Sequence, residues 1–213
     1  IAKGADVNAP SSRPLPQMVP LNGEGARPPH LGASPYVIAA QSADAEMMRL
    51  LKSKGANPLL TAKDGQTALM AACEGILENT LLLSEELRLE AAKTALEHGV
   101  SLEAEDSGGH RAMHVAARAG YHGLITFLLS KGADLNPVSK AKKGFGLSRY
   151  LLEGQSPLGL VEGTLSGIFY ERPDTADFLR KLGAKSIGRF YPHDLDRNNP
   201  EATDKAFKDF GKK

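Results

Sequence analysis

The sequence predicts an all-α fold, a solenoid of stacked helix-turn-helix units that is interrupted by long hairpin-loop insertions. Two phrases recur along the 213 residues, and several copies stand 33 residues apart, from Gly32 to Gly65 and from Gly99 to Gly132. A fixed period of this length indicates a repeat protein. Aromatic residues make up only 6% of the chain and tryptophan is absent, which favours a core built from Ala, Leu and Gly.

The first phrase predicts the start of the first helix in each unit. It begins at Gly32, Gly65, Gly109 and Gly154, and in three of these copies a Ser or Thr follows two residues later. A Ser or Thr before a small residue or Pro is typical of a helix N-cap. Paired alanines such as Ala116 and Ala117 come next, and their small size lets neighbouring helices approach closely.

The second phrase predicts the end of the second helix. Its copies stand at 3–8, 54–58, 98–102, 131–136 and 182–184, and each carries a Gly. Gly suits the left-handed residue that follows a helix. Before these copies, Met47, Leu50 and Leu51 form an apolar stripe at helical spacing, as do Leu124, Ile125 and Leu128. One unit cannot bury its stripe alone, so stacking of neighbours completes the core.

In this order and register, the two phrases resemble the ankyrin repeat family. The best copy extends from Asp106 to about Leu135 and carries Gly109, Met113, His114, Ala116, Ala117, Gly120, Leu128, Leu129, Gly132, Ala133, Asp134 and, just beyond, Asn136. The resemblance implies an ankyrin-repeat solenoid over residues 1–186. The style of the units is similar to that of bacterial members of the family.

The periodicity divides the chain into repeat units, insertions and a tail. Full units are predicted at about 32–60, 61–104, 105–137 and 154–185, with a partial unit at 1–9 whose helices we expect ahead of residue 1. Insertions are predicted at 10–31, 76–84 and 137–153, and insertions in solenoids map to loops on one face. The tail, 187–213, leaves the pattern, and we expect it to cap the last unit or to dock on a partner.

Composition excludes several classes of function. The net charge of +1 argues against nucleic acid as the main ligand, although residues 140–150 are locally basic. No apolar run approaches membrane-spanning length, so we expect no membrane insertion, while cytoplasm and periplasm both stay open. A single cysteine excludes internal disulfides and a two-cysteine metal site. We therefore expect no cofactor and no metal.

Individual residues that carry chemistry have structural interpretations. His114 occupies the position of a family histidine, and the resemblance implies that it forms a hydrogen bond between neighbouring turns. Cys73 replaces a small alanine, which favours a buried, inert thiol. Asp194 begins a segment that resembles a calcium loop, but Asn199 and Lys205 stand where Gly and Glu are needed, so a solvated turn is favoured.

The resemblance implies a non-catalytic scaffold that binds a protein partner through hairpin tips, concave helix faces and inserted loops. Carried over by position, the partner-binding residues are Gln41, Ser42, Lys63, Asp64, Gln66, Glu74, Ser107, Gly108, His110, Arg118 and Ala119, and the inserted loop adds Lys142, Lys143, Phe145 and Arg149. The alternative is a fixed structural subunit or an appended region of a larger, possibly enzymatic, complex. An enzyme in its own right lacks a convergent nucleophile, base or metal set.

Overall fold

The computed structural model describes residues 4–12, 31–74, 84–140, 154–162 and 173–188. All regular elements in these ranges are α-helices. They are α1 (Pro35–Gln41), α2 (Ala45–Ser53), α3 (Ala68–Cys73), α4 (Glu85–Glu97), α5 (Ala112–Ala119), α6 (His122–Ser130), α7 (Pro157–Glu162) and α8 (Pro173–Lys181).

The helices form pairs that stack in chain order. We call α1, α3, α5 and α7 the inner helices, because each packs against the next inner helix of the series. The outer helices are α2, α4, α6 and α8, and each packs on the inner helix that precedes it. Buried side chains from every helix join in one continuous core. The predicted all-α solenoid of stacked helix pairs is confirmed, and each predicted unit holds one pair.

The inner helices begin at the predicted caps. The Ser34 hydroxyl accepts a hydrogen bond from the Val37 N–H at 3.4 Å, and the Thr67 hydroxyl accepts one from the Met70 N–H at 3.2 Å. Each bond satisfies a donor of the first turn that has no partner inside the helix. In the fourth unit, Ser156 plays the same part, accepting from the Gly159 N–H at 3.0 Å.

Small residues determine how closely the inner helices stack. Ala40, Ala71, Ala72, Ala116 and Ala117 are each fully buried. An alanine methyl adds little thickness between two helix backbones and loses no rotamer freedom on burial, so short helices can pack at close range.

Glycine ends each outer helix, as predicted. Gly55, Gly99, Gly132 and Gly183 all have φ between 85° and 91°, in the left-handed region that disfavours side chains. Because they recur at one position of every unit, they give a common register. Residues in different units are equivalent when they stand at the same distance from these glycines.

The hairpins between units show where the first and third insertions join the repeats. Ser139 donates its N–H to the Gln155 carbonyl at 3.0 Å, and Ser11 donates to Ala33 in the same way at 2.9 Å. Residues 137–140 are therefore part of a regular hairpin, and the prediction that the insertion starts at 137 was wrong at this end. The additional residues attach between Lys140 and Gly154, at the hairpin tip.

The second insertion joins the repeats elsewhere. Residues 75–83 connect α3 to α4, so they attach where an inner helix passes to an outer helix, whereas the hairpins precede the inner helices. The first and third insertions adjoin hairpins and the second adjoins the end of α3. The inserted residues lie outside the described ranges, so the expectation that insertions map to one face stays a prediction.

Candidate partner-binding surface

Successive hairpins are joined by main-chain hydrogen bonds near their tips. Lys63 donates its N–H to Leu31 at 2.9 Å, Ser107 donates to Asp64 at 2.7 Å, and Lys140 donates to Gly108 at 2.8 Å. The three donors are equivalent in register, and all three residues are exposed. We call Lys63, Ser107 and Lys140 the tip row. Its backbone geometry repeats from unit to unit, while the side chain is Lys, Ser and Lys in turn.

The hairpin of the third unit is fixed by Asp106. One carboxylate oxygen accepts the N–H groups of Gly108 at 2.7 Å and His110 at 2.8 Å, and the His110 ring nitrogen lies 3.2 Å from the other. Burial raises the pKa of Asp106, but the bonds from His110 and Gly108 outweigh it and lower the pKa to about 2. The carboxylate is therefore ionised at neutral pH and stiffens the tip that carries Ser107.

A second row of polar residues lies at the ends of the inner helices. Glu74 and Arg118 are equivalent residues of the second and third units, and their charged groups lie 3.6 Å apart. Gln66 donates from its side-chain amide to Glu74 at 2.8 Å. We call Gln66, Glu74 and Arg118 the inner row. The Arg118 side chain is 42% exposed, so its charge is open to a partner.

Two predicted contact residues are not accessible. Gln41 is equivalent to Glu74, but it is only 6% exposed because α1 packs against α3 where it ends. Gly108 is buried, and its carbonyl is bonded to Lys140. The structure therefore contradicts the expectation that Gln41 and Gly108 present surface to a partner. Ser42 is exposed, and Ala119 is partly exposed beside Arg118.

The remaining predicted residues divide between the hairpins and the third insertion. Lys63 is exposed, while Asp64, Gln66 and His110 are partly exposed on adjacent hairpins. The basic and aromatic residues of the insertion, Lys142, Lys143, Phe145 and Arg149, lie outside the described residues, as does the calcium-like segment at 194–199.

A charged cluster on the third hairpin was missed by sequence reasoning. Arg111 binds Glu103 at 2.7 Å and Glu105 at 3.0 Å, and Lys140 lies 3.2 Å from Glu105. Hydrogen bonds from Arg111 and then Lys140 lower the pKa of Glu105. Glu103 also accepts the Asp134 N–H at 2.9 Å, so the cluster links two units as well as facing solvent. The available signal was the pair of acids at Glu103 and Glu105 on one hairpin limb, with the basic Arg111 on the returning limb.

His114 has the structural role that the resemblance implied. It is 1% exposed, its Nδ1 accepts the Arg111 N–H at 3.1 Å, and its Nε2 lies 2.9 Å from the Gln155 carbonyl. Since Nδ1 is an acceptor, the proton is on Nε2 and is donated to Gln155. Burial lowers the pKa of His114 to about 4. The neutral ring therefore connects the third unit to the fourth.

Two other histidines also join neighbouring units. The Tyr36 hydroxyl lies 2.7 Å from Nδ1 of His98, which connects the first and second units. His122 lies with its Nε2 3.2 Å from the Thr175 hydroxyl, and its ring stacks on Phe178 with centroids 4.3 Å apart. His98 and His122 are therefore parts of interfaces between neighbouring units.

The second unit buries a thiol and a guanidinium together. Cys73 is fully buried, as predicted, and burial raises its pKa to about 12. Arg88 is 1% exposed, donates to the Ala72 carbonyl at 3.3 Å and lies 5.6 Å from the Tyr121 ring centroid. Among the residues that the structure describes, its Nε has no hydrogen-bond partner. A thiol with so high a pKa is unreactive at neutral pH.

The described part of the chain contains neither a candidate metal site nor a candidate membrane-spanning helix. Within it, no group of three or more His, Cys, Asp or Glu side chains is placed to hold a metal ion. None of its helices combines the length and apolar character needed to cross a membrane.

Comparison with known proteins identifies the repeat type. Residues 37–139 match the family model for ankyrin repeats in three copies. The B-cell lymphoma 3 protein homolog of Mus musculus is 32% identical over 109 residues, 51% of this chain and 23% of the relative. NF-kappa-B inhibitor alpha of Homo sapiens is 32% identical over 108 residues, 50% of this chain and 32% of the relative.

The similarity covers a limited part of these relatives. The chain spans less than a third of the length of each of the two proteins. The segment that matches the family model contains α2 to α6 and all of α1 except its first two residues. It includes Lys63 and Ser107 of the tip row and ends one residue before Lys140. Residues 37–139 of the chain therefore consist of ankyrin repeats.

Proposed function

We propose that this chain is a non-catalytic scaffold that binds a protein partner along the hairpin side of its repeats. The observation that carries the proposal is the tip row. Hydrogen bonds of 2.7–2.9 Å between hairpins place three exposed polar side chains, two lysines and a serine, at one repeated backbone position. A constant backbone with variable polar side chains suits recognition, because specificity changes without loss of the fold.

The inner row adds a second line of contact beside the tips. Arg118 and Glu74 lie on consecutive inner helices, and the Glu74 side chain is only 24% exposed. A partner that replaces water around this pair would strengthen its electrostatic interaction. Because charges at such a surface govern encounter rate and orientation more than affinity, we expect the inner row to orient the partner.

The similar proteins are consistent with this proposal. One of them is named as an inhibitor of NF-kappa-B, so it acts on another protein. The family model covers the repeats that carry the inner row and two of the three tip-row residues. We propose that the repeats of this chain contact a protein partner through their hairpin side, without assigning it the partner of a relative.

A matched pair of charge reversals tests the proposal. Lys63→Glu changes the tip row, while Lys52→Glu makes the same substitution at an exposed position of an outer helix. Tagged chains would be recovered from native extract, and their bound proteins would be measured by quantitative mass spectrometry. We expect Lys63→Glu to lower the yield of one defined set of bound proteins on the order of tenfold, which corresponds to a loss of about 1.4 kcal/mol in binding free energy. We expect Lys52→Glu to leave the yield of the same proteins unchanged. Equal yields from both variants would contradict the proposal.

The same purification separates a reversible adaptor from a fixed subunit of a larger complex. A chain that binds reversibly exchanges with excess labelled chain during the purification, while a fixed subunit does not exchange. We propose the reversible adaptor, and co-purification without exchange would instead assign the chain to a permanent assembly.

A further inference from the structure

The outer helix of the first unit carries an exposed apolar face. Met47 is 42% exposed and Leu50 is 47% exposed on α2. Residues three apart lie on the same side of a helix, so the two side chains form one patch. We call it the α2 face.

Equivalent positions in the later units are buried. The position eight residues before the helix-ending glycine is held by Met47 in the first unit, and the later units have Ala91, Leu124 and Thr175 there, each 0% exposed. The position five residues before that glycine is Leu50 in the first unit. Thr94, which is 0% exposed, and the partly buried Phe127 and Phe178 follow in the later units. The α2 face therefore corresponds to a surface that the stack buries elsewhere.

The residues that cover these positions come from the preceding outer helix. Arg49 of α2 donates to the Thr94 hydroxyl at 3.0 Å, and His122 of α6 contacts Thr175 and stacks on Phe178. Similarly, the Glu85 carboxylate of α4 accepts the Leu124 N–H at 2.9 Å. In each later unit, the position is part of an interface between consecutive outer helices.

The hairpin part of the same interface is already present in the first unit. Asn8 accepts the Asn57 N–H through its side chain at 2.7 Å, as the equivalent Asn136 accepts the Lys185 N–H at 2.6 Å. Ser11 pairs with Ala33 as Ser139 pairs with Gln155. Residues 4–11 thus contact the first unit in the same way that residues 132–139 contact the fourth unit. No described helix, however, covers the α2 face.

We propose that the α2 face is a repeat–repeat interface, occupied by a further helix pair of the same type carried on the N-terminal side of Gly4. The outer helix of that pair would present small or apolar residues to Met47 and Leu50, with a polar side chain in the position of Arg49 or His122. This proposal concerns a different surface from the tip row and does not depend on the proposed partner.

Methionine oxidation tests the proposal directly. Met47 and its neighbour Met48 differ sharply, since Met48 is 0% exposed. In residues 1–213 expressed alone, we expect peroxide to oxidise Met47 on the order of tenfold faster than Met48, because exposure governs this reaction. In the protein isolated from its natural source, we expect the two rates to be equal. Rapid oxidation of Met47 in both samples would overturn the proposal.

The same measurement distinguishes other occupants of the face. A second copy of the chain would protect Met47 only at high protein concentration, and a separate protein would protect it only until that protein is removed. Either result would contradict an occupant in the same polypeptide. Protection that survives both dilution and purification to a single chain supports the proposal.

A matched pair of substitutions provides an independent test in the naturally occurring protein. Met47→Lys introduces a charge on the α2 face. Ser53→Lys introduces the same charge at a position that is exposed in all four units, as Ser53, Glu97, Ser130 and Lys181. We expect Met47→Lys to lower the urea midpoint of that protein and Ser53→Lys to leave it unchanged. Equal midpoints for the two variants would overturn the proposal.

Discussion

Acidification should weaken the contact between the third and fourth units through His114. This residue is 1% exposed, and burial lowers its pKa from 6.5 to about 4. In the unfolded chain it keeps the ordinary value. As the pH falls below 6.5, His114 becomes protonated in the unfolded chain but stays neutral in the folded chain. The free energy of unfolding therefore decreases. The loss is complete at about pH 4, and the full contribution is present above pH 6.5.

The size of this effect is large compared with the stability of a domain. One pKa unit corresponds to about 1.4 kcal/mol, so a fall from 6.5 to about 4 costs about 3 kcal/mol at low pH. Domains of this kind are stable by roughly 5–15 kcal/mol. Protonation would also oppose the bond in which His114 accepts the Arg111 N–H at 3.1 Å. Fraying should therefore begin at the interface of the third and fourth units.

The measurement is urea unfolding between pH 7 and pH 4 for the wild type and for His114→Gln. Glutamine can still donate to the Gln155 carbonyl but does not titrate in this range. His98, whose pKa burial also lowers, is present in both proteins, so the difference between the two isolates His114. We expect the wild type to lose about 3 kcal/mol more than the variant. Parallel pH profiles would refute the assignment of a buried neutral histidine.

Three further predictions concern the core and the turns. In urea unfolding, Gly109→Ala should destabilise the chain by about 2–4 kcal/mol and Gly132→Ala by about 1 kcal/mol. Both glycines have positive φ, but only at Gly109 would an added Cβ lie 2.7 Å from the Lys140 nitrogen. Equal losses for the two variants would contradict this reasoning. Arg88→Leu should be neutral or stabilising in thermal unfolding, because the guanidinium is buried and its Nε has no hydrogen-bond partner among the described residues. Arg88→Ala should cost about 2–3 kcal/mol, because the smaller side chain leaves a cavity; a large loss with Leu would show that the charge itself stabilises the fold. Cys73 should react with a thiol reagent at pH 8 only as fast as the protein unfolds, because the thiol is fully buried and burial raises its pKa to about 12. Rapid labelling of the folded chain would contradict this prediction.

The repeat architecture could be predicted because each of its elements has a local cause in the sequence. Gly55 and Gly132 mark helix ends through a backbone conformation that other residues rarely adopt, and both have φ near 90°. Ser34 and Thr67 mark helix starts through a hydroxyl that bonds to the first turn. Such signals depend on a few neighbouring residues, so they can be recognised without knowledge of the tertiary contacts.

Accessibility within the candidate surface could not be predicted in the same way. Gln41 and Glu74 hold equivalent positions, yet Gln41 is buried and Glu74 is 24% exposed. Register predicts which way a side chain points but not how closely its surroundings pack. The Arg111 cluster was missed for a related reason, because Lys140 belongs to the next hairpin and reaches Glu105 only in the stack.

The hairpin insertions illustrate how contacts refine a boundary. The repeat periodicity predicted that the third insertion begins at residue 137, where the repeat pattern fades. The hydrogen bonds of Ser139 and Lys140 to neighbouring hairpins show that these residues still follow the repeat backbone. Backbone pairing can persist where the side chains no longer match a pattern, because main-chain groups bond irrespective of residue type.

Amide hydrogen exchange of the chain in native extract tests the central claim most directly. The account predicts slower exchange than in the isolated chain for segments 61–74 and 105–120, which carry the tips of the second and third units and the inner row. It predicts no change in the outer helices α4 and α6. Protection confined to the outer helices, or identical exchange in both samples, would contradict a partner on the hairpin side.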